Sequence, residues 1–239
     1  MKMDIGKLDF RAVNEKLRLA EGECELDGCL GQRFIGAGMA DKKIVLRGTP
    51  GNALGAYLNG AEITVFGNAQ DAVGDTMNAG RITVHGNIGD AAGYAMRGGE
   101  IFVKGNAGYR AGIHMKAYRD KIPLLVVGGT AGSFLGEYQA GGVIVVLGLN
   151  AGDKPIVGNF PCTGMHGGKL YLRSACADVR FPAQVNAHAA DADEMEELKK
   201  ILLDYCRRFG YDIDTVLSAP FTAVTPGTAN PYRQMYVAN

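Results

Sequence analysis

The sequence predicts an all-β fold: a single-stranded, right-handed parallel β-helix of about seven coils, with capping α-helices at both flanks. The main observation is a 19-residue repeat, which is too short for two helices but suits one coil of a solenoid. The aliphatic members of the repeat are Ile44, Ile63, Ile82 and Ile101. Its glycine members are Gly48, Gly67, Gly86 and Gly105, and then Gly55, Gly74, Gly93 and Gly112. A further column holds Leu58, Met77, Met96 and Met115. Columns that keep one register over four repeats indicate stacked coils.

Two insertions interrupt the repeat without ending it. Residues 116–123 carry five extra positions, after which Leu125 continues the column of Ile101. A second insertion, of seven positions, precedes Met165 in the methionine column. The predicted divisions are an N-terminal cap helix at 1–24, the β-helix at 25–173, and a C-terminal helix with an extended arm at 174–239.

The residues within one coil predict its strand and its corner. Apolar and polar residues alternate in Ile63-Thr64-Val65, which is the pattern of a strand. A glycine such as Gly67 follows and allows a positive φ, so we expect the chain to turn a corner there. Stacking then places isoleucine on isoleucine and methionine on methionine. Each buried aliphatic side chain contributes roughly 1.5–3 kcal/mol, as an upper estimate.

A column of polar residues follows the corner glycines. Its members are Thr49, Asn68, Asn87, Asn106 and Thr130. One interpretation is a ladder in which each side chain bonds the next coil. The other is ordinary Gly-Asn turn chemistry with outward side chains. Both interpretations are structural and neither is catalytic.

Helices are predicted on both flanks. After Asp9, the spacing of Phe10, Val13 and Leu17 predicts a short amphipathic helix over the first coil. Near the other end, Asp191 and Glu194 form a capping-box pattern that opens a second helix. The apolar stripe of that helix is Met195, Leu198, Leu202, Tyr205 and Phe209, and Gly210 is its stop. We expect the stripe to pack on its own domain.

The C-terminal residues change in character after a further helical turn within 212–218. Pro220, Pro226 and Pro231 predict that no regular element forms in 219–239. The same stretch is rich in aromatic residues, which is unusual for a disordered tail. It is therefore interpreted as an extended arm that docks on a surface of its own chain or of a partner.

Composition excludes several classes of function. The chain has 25 Lys and Arg and 25 Asp and Glu, so it lacks the basic footprint of a nucleic-acid binder. The N-terminus has no signal-peptide pattern and no apolar run is long enough to span a membrane. Five cysteines without CxxC spacing predict neither a disulfide framework nor a metal site made by this chain alone. A reduced, cytoplasmic location is expected.

No candidate active site stands out in the sequence. The four histidines are His85, His114, His166 and His188. His166 lies between glycines in the irregular last turn and is the most suggestive, but an interface role is favoured over catalysis. Glycine-rich runs such as 128–132 lack the Gly-Lys-Ser/Thr and the following helix of a phosphate loop. A calcium-binding coil needs a nine-residue period with a recurrent Asp, and the column of Asp71 and Asp90 is broken by Asn52 and Tyr109.

Long segments resemble the GXGXG domain that ends the large subunit of glutamate synthase. The segments that carry the resemblance are 30–36 (LGQRFIG), 121–132 (KIPLLVVGGTAG), 134–138 (FLGEY), 140–148 (AGGVIVVLG), 164–168 (GMHGG) and 231–237 (PYRQMYV). The last of these resembles the ending of stand-alone versions found in split glutamate synthases. The resemblance spans nearly the whole chain.

The resemblance implies a non-catalytic scaffold subunit, with no catalytic, cofactor-binding or metal-binding residue in this chain. The implied partners are a glutamine amidotransferase subunit and a glutamate synthase subunit that carries FMN and an iron–sulfur cluster. Together they would form glutamate from glutamine and 2-oxoglutarate. Neither a nucleic acid nor a membrane is expected as a partner.

Three alternatives stay open at this point. The same coil occurs in the C subunit of formylmethanofuran dehydrogenase and in a subunit of N-methylglutamate synthase. A free-standing structural β-helix, as a homo-oligomer, is the third. Candidate interface residues are Met165, His166, Phe221, Tyr232 and Tyr236.

Overall fold

The computed structural model describes residues 1–227, and in that range the chain forms eleven strands and three helices. The strands are β1 (Lys2–Asp4), β2 (Glu23–Leu30), β3 (Lys43–Thr49), β4 (Asn59–Phe66), β5 (Ala79–Val84), β6 (Glu100–Val103), β7 (Leu124–Val127), β8 (Ala140–Val146), β9 (Gly167–Leu172), β10 (Val185–Ala189) and β11 (Thr222–Pro226). The helices are α1 (Phe10–Leu19), α2 (Ala192–Phe209) and α3 (Ile213–Leu217).

Strands β1 to β9 lie side by side in chain order and are parallel, so the predicted β-solenoid is confirmed. The isoleucine column is continuous across them. Its paired positions are Ile44, Ile63, Ile82, Ile101, Leu125, Ile144 and Leu170. A second line of parallel bridges runs along another side of the coils through Ala69, Ile88, Ala107, Ala131 and Val157. Each coil is therefore bonded to the next on more than one side.

The solenoid encloses one continuous apolar core. The side chains of the methionine column are buried, including Met77, Met96 and Met115 at 0 % exposure. Gln139 replaces methionine in this column, and its Nε2 donates to the carbonyls of Gly141 and Gly142 at a β-bulge in β8. A polar side chain in the core is thus used where the strand departs from regular pairing.

The asparagine column forms a ladder from side chain to backbone. Asn68 Oδ1 accepts from Asn87 N at 2.8 Å, and Asn87 Oδ1 accepts from Asn106 N at the same distance. A second ladder uses the column of Asp71, whose Oδ1 accepts from Asp90 N at 2.9 Å. The ladder interpretation is therefore confirmed, with backbone N–H groups as the donors instead of side-chain amides.

The ladder also explains the corner glycines, for which positive φ is only part of the reason. Gly67 has φ 154°, but Gly86 and Gly105 do not have a positive φ. A Cβ on Gly86 would lie 2.3 Å from Asn68 Oδ1, and a Cβ on Gly105 would lie 2.3 Å from an asparagine Oδ1 in the same way. The glycine of one coil is required because the asparagine of the preceding coil occupies that space.

Helix α1 packs on the first coil as predicted. Asp9 caps it by accepting from Ala12 N at 2.9 Å, and Val13 and Leu17 are buried. Asn14 is also buried: its Oδ1 accepts from the backbone N of Gly36 at 2.9 Å. The segment 1–24 holds more than the expected helix, because β1 pairs with β2 before α1 begins.

Helix α2 begins and ends as predicted, but it does not cap the end of the solenoid. Asp191 and Glu194 form the capping box, and Gly210 closes the helix in the left-handed conformation. Its stripe packs on the outer face of the sheet, where Tyr205 OH donates to Val103 O at 3.0 Å. The outward residues that it covers are Phe102, Val126, Val145 and Tyr171. The expectation of a capping helix at this flank was therefore wrong.

Strands β11 and β10 cover the last strand instead. β11 pairs antiparallel with both β9 and β10. The expectation that no regular element forms in 219–227 was also wrong. Pro226 is compatible with the strand because β9 pairs only with Thr222–Val224, so Pro226 has a neighbouring strand on one side only.

Phe66 and His85 lie on the outer face and meet only the C-terminal end of α2. His85 stacks on Phe66 with ring centroids 4.5 Å apart and meets Phe209 edge-on at 5.2 Å. Burial lowers the pKa of His85, and the positive charge of Lys104 lowers it further. The neutral imidazole is therefore the form that the folded state favours.

Met96→Asp is expected to prevent folding, because a carboxylate at this fully buried position has no partner. Met96→Leu keeps the apolar volume and should cost less than about 1.5 kcal/mol. Circular dichroism melting and size-exclusion chromatography of both variants provide the measurement. A soluble Met96→Asp protein with unchanged melting would show that this column is not core.

Asn87→Ala should lower the free energy of unfolding by about 0.5–1.5 kcal/mol, because Asn106 N loses its acceptor. Asn87→Asp is the matched control, since a carboxylate already serves as acceptor in the second ladder. Urea denaturation measures the free energy of unfolding of both variants. Equal losses for the two variants would contradict the ladder as a source of stability.

His85→Phe should reduce the acid sensitivity of the protein. The unfolded chain binds a proton near pH 6.5, whereas the folded protein binds it only at lower pH, so stability is lost as pH falls below that value. Melting temperatures at pH 7 and pH 5 should therefore differ more for the wild type than for His85→Phe. Parallel shifts in the two proteins would contradict the assigned role.

Candidate functional site

The sequence-predicted interface residues Met165 and His166 lie in the last coil, in different environments. Met165 has 0 % exposure and belongs to the core. His166 is half-buried, with Nδ1 3.0 Å from the carbonyl of Gly164. Only His166 of this pair has side-chain surface exposed to solvent.

The remaining predicted interface residues lie near the C-terminus. Phe221 is 4 % exposed and packs in the apolar cluster under α2. It is therefore part of the fold's own packing. Tyr232 and Tyr236 lie outside the described residues.

The histidines are spread over the molecule. His114 lies in a turn between strands and stacks on Tyr138 with ring centroids 5.2 Å apart. His188 lies in β10, with Nε2 3.1 Å from a carboxylate oxygen of Glu194. Among residues 1–227, no group of three or more His, Cys, Asp or Glu side chains is placed to hold a metal ion.

The cysteines are buried and free within the described fold. Burial raises the pKa of Cys162 to about 12 and that of Cys29 to about 11, the latter against a hydrogen bond from Gln32 that lowers it. Thiols in such surroundings stay protonated at neutral pH and are poor nucleophiles. These side chains act as small apolar core residues.

An aromatic surface that the sequence reasoning missed follows the turns of the later coils. His114 is flanked by Tyr94 and Tyr138, with ring centroids 5.9 and 5.2 Å away. The ring centroids of Phe134 and Phe160 are 5.4 Å apart, and the guanidinium of Arg110 lies over the ring of Phe134. His114 and Tyr138 share one position of the coil, and Phe134 and Phe160 share another, so two columns of the repeat contained part of the signal. Exposed aromatic rings in a row are a feature of protein interfaces.

A groove of about 720 Å³ lies at the end of the solenoid, between residues 154–161 and 178–180. Lys154 and Arg180 bring positive charge to it, and Asp178 brings a negative charge. The groove adjoins Val157, the last member of the second line of bridges. Its mixed charges do not select one class of ligand.

None of the helices within residues 1–227 combines the length and the apolar character that a membrane crossing requires.

Comparison with solved structures supports the fold. A chain of the formyltransferase/hydrolase complex (FhcABCD) from Methylorubrum extorquens, solved with methylofuran, matches with a TM-score of 0.66. The match covers 92 % of this chain and 89 % of that chain, at 21 % sequence identity. At this identity the likeness establishes a shared solenoid fold.

Sequence comparison identifies a relative with higher sequence identity. An uncharacterized protein of Methanocaldococcus jannaschii, MJ1350, is 37 % identical over 248 residues, which covers 98 % of this chain and 95 % of the relative. The family model described as the GXGXG motif matches residues 22–226, from the residue before β2 to the end of β11. This chain belongs to the GXGXG motif family.

Proposed function

We propose that this chain is a non-catalytic scaffold subunit of a glutamate-synthase-type complex, which forms glutamate from glutamine and 2-oxoglutarate. The observation that supports a scaffold role is that the GXGXG match takes up nearly all of the described chain. The chain of similar fold belongs to a multi-subunit enzyme complex, which agrees with a role in assembly. The long segments that resemble glutamate synthase favour that complex in particular.

The construction of the solenoid suits a rigid spacer. Seven inter-strand steps of about 4.8 Å from β2 to β9 give a rod of about 34 Å. Side-chain ladders and two lines of backbone pairing tie each coil to its neighbours. A body without a flexible joint can hold two catalytic subunits at a fixed separation, so that ammonia passes from one to the other without escaping.

In this proposal, the chemistry belongs to the partners. The amidotransferase subunit releases ammonia from glutamine, and a second subunit with FMN and an iron–sulfur cluster uses it to aminate 2-oxoglutarate reductively. The scaffold contributes surface and distance. We place the complex in the cytoplasm, where reduced buried thiols such as Cys162 are stable.

A second candidate is a subunit of a formyl-group-handling complex, such as the C subunit of formylmethanofuran dehydrogenase. The fold match to the formyltransferase/hydrolase complex favours it, because the two chains cover each other almost completely. N-methylglutamate synthase and a free-standing homo-oligomer are the further alternatives. The partner proteins discriminate among all of these.

The test is affinity purification of the tagged full-length chain from its native cell, with the associated proteins identified by mass spectrometry. We expect an amidotransferase and a flavin and iron–sulfur subunit, and we expect the purified complex to form glutamate from glutamine. The chain alone should show neither flavin absorbance nor glutaminase activity. The same tag on an unrelated protein is the control.

Other outcomes would contradict the assignment. Glutaminase activity or bound flavin in the isolated chain would overturn the non-catalytic role. Molybdenum or tungsten enzyme subunits among the associated proteins would move the chain to the formyl-group complexes. Recovery of the chain alone would support the free-standing alternative.

A further inference from the structure

The insertion at residues 116–123 forms a hairpin that the solenoid does not need. Tyr118 and Lys121 exchange two backbone hydrogen bonds of 3.0 Å around a two-residue turn. Strands β6 and β7 pair in register on either side of the insertion, with Ile101 opposite Leu125. The five extra residues are therefore placed outside the coil without disturbing it.

The stem of this hairpin is held between two glycines of neighbouring coils. A Cβ on Gly98 would lie 3.0 Å from Lys121 Cβ, and a Cβ on Gly141 would lie 2.4 Å from Ala117 N. Arg119 occupies the turn with φ 57°, a conformation that costs a non-glycine residue about 1–2 kcal/mol. A glycine would fit the turn without this cost, yet the position carries a long cation.

The hairpin and the coil before it concentrate positive charge. Lys116 N bonds to Met96 O, which places Lys116 beside Arg97 of the preceding coil. The exposed cations of this region are Arg97, Lys116, Arg119 and Lys121, and Asp120 is the acid of the hairpin itself. Glu62 and Glu100 line the cleft beside Lys121, and Glu100 is paired with Arg81. We name the four cations and Asp120, with Tyr118 and Ile122, the basic hairpin patch. None of its cations forms an ion pair within residues 1–227, although ten ion pairs occur elsewhere in that range.

The patch also exposes apolar surface. Tyr118 is 46 % exposed and Ile122 is 64 % exposed. The guanidinium of Arg119 lies 5.2 Å from the ring centroid of Tyr118. Beneath the hairpin, a cleft of about 410 Å³ runs between Ile122 and the Glu100 end of β6. Tyrosine and arginine beside a small cleft are the residue types that dominate the binding energy of protein interfaces.

We propose that the basic hairpin patch docks against an acidic surface of a partner subunit of the complex. This inference rests on the proposed scaffold function. The net charge of the whole chain is zero, so four unpaired cations in one place form a local attraction for negative charge. A nucleic acid is the less suitable partner, since the net charge of the chain is zero and a basic footprint of the kind that nucleic-acid binders carry is not expected.

The test is a binding measurement between the full-length chain and each purified partner subunit recovered with it. The charge-reversal variant Arg119→Glu/Lys121→Glu changes two exposed side chains and should fold normally, which melting confirms. We expect its Kd to rise about tenfold or more at 0.15 M salt, mainly through slower association. The difference should shrink at 1 M salt, where the Debye length falls to about 3 Å.

A matched control is Lys199→Glu/Lys200→Glu, which makes the same change of charge on the exposed face of α2. It should bind like the wild type. Equal Kd values for wild type and hairpin variant would overturn the patch while leaving the scaffold function intact. A wild-type chain that binds neither subunit would instead contradict the scaffold function itself and remove this inference with it. Tight binding of a 20-nucleotide RNA or DNA probe, abolished by the hairpin variant, would overturn the protein partner in favour of a nucleic acid.

Discussion

In-register stacking of the coils is the constraint on which the rest of the structure depends. Each residue of a coil lies one strand spacing from its equivalent in the next, so like meets like along the whole rod. Ile63 rests on Ile82 and Met77 on Met96 because the repeat length is constant. The interlocking of Asn68 with Gly86 shows how tight this constraint is, since the oxygen of one residue fills the space of the other's missing Cβ. Extra residues cannot enter such a stack and are placed outside it.

The position of α2 follows from the outer face of the same strands. In β4 the outward position holds Thr64, which is partly exposed, and in β5 it holds Thr83, which is buried at 3 % exposure. From β6 onward the outward positions hold Phe102 and Val126, which need apolar cover. The helix therefore packs mainly on the strands from β6 onward and reaches β5 only at its edge, where Asp204 pairs with Arg81. Burial between α2 and the sheet also raises the pKa of Tyr205, a residue of the helix. Its hydroxyl keeps its proton and donates to the carbonyl of Val103.

Much of the fold could be predicted because its signals are local or periodic. The repeated columns of isoleucine, glycine and methionine predicted the coil. The limits of α2 were predicted from Asp191, Glu194 and Gly210. The surface on which α2 packs was missed, although the unbroken apolar runs at Leu124–Val127 and 143–147 indicated strands buried on both faces. Strand β11 was not predicted because its prolines indicate an irregular segment. Its pairing with β9 depends on contacts between residues far apart in sequence, which no local pattern reveals.

The candidate interface was harder to predict, since residue type does not give side-chain direction. Met165 and Phe221 have the composition of contact residues, yet the fold turns both inward. The insertion at 116–123 was recognised as an interruption of the repeat, but its charge became meaningful only when the hairpin placed it beside Arg97. A cluster made by two coils is visible only after the coils are stacked.

The covered ends of the rod leave its sides as the surfaces for partners. At the first coil, α1 lies over the core, with Val13 and Leu17 buried against it. At the last coil, β11 and β10 pair on β9, and β10 is a short edge strand with mostly exposed residues, a poor template for further pairing. End-to-end stacking of copies is thereby disfavoured. In the proposed complex, a partner subunit therefore approaches from the side, across several coils at once, where a rigid stack presents the hairpin and the aromatic turns at fixed distances from each other.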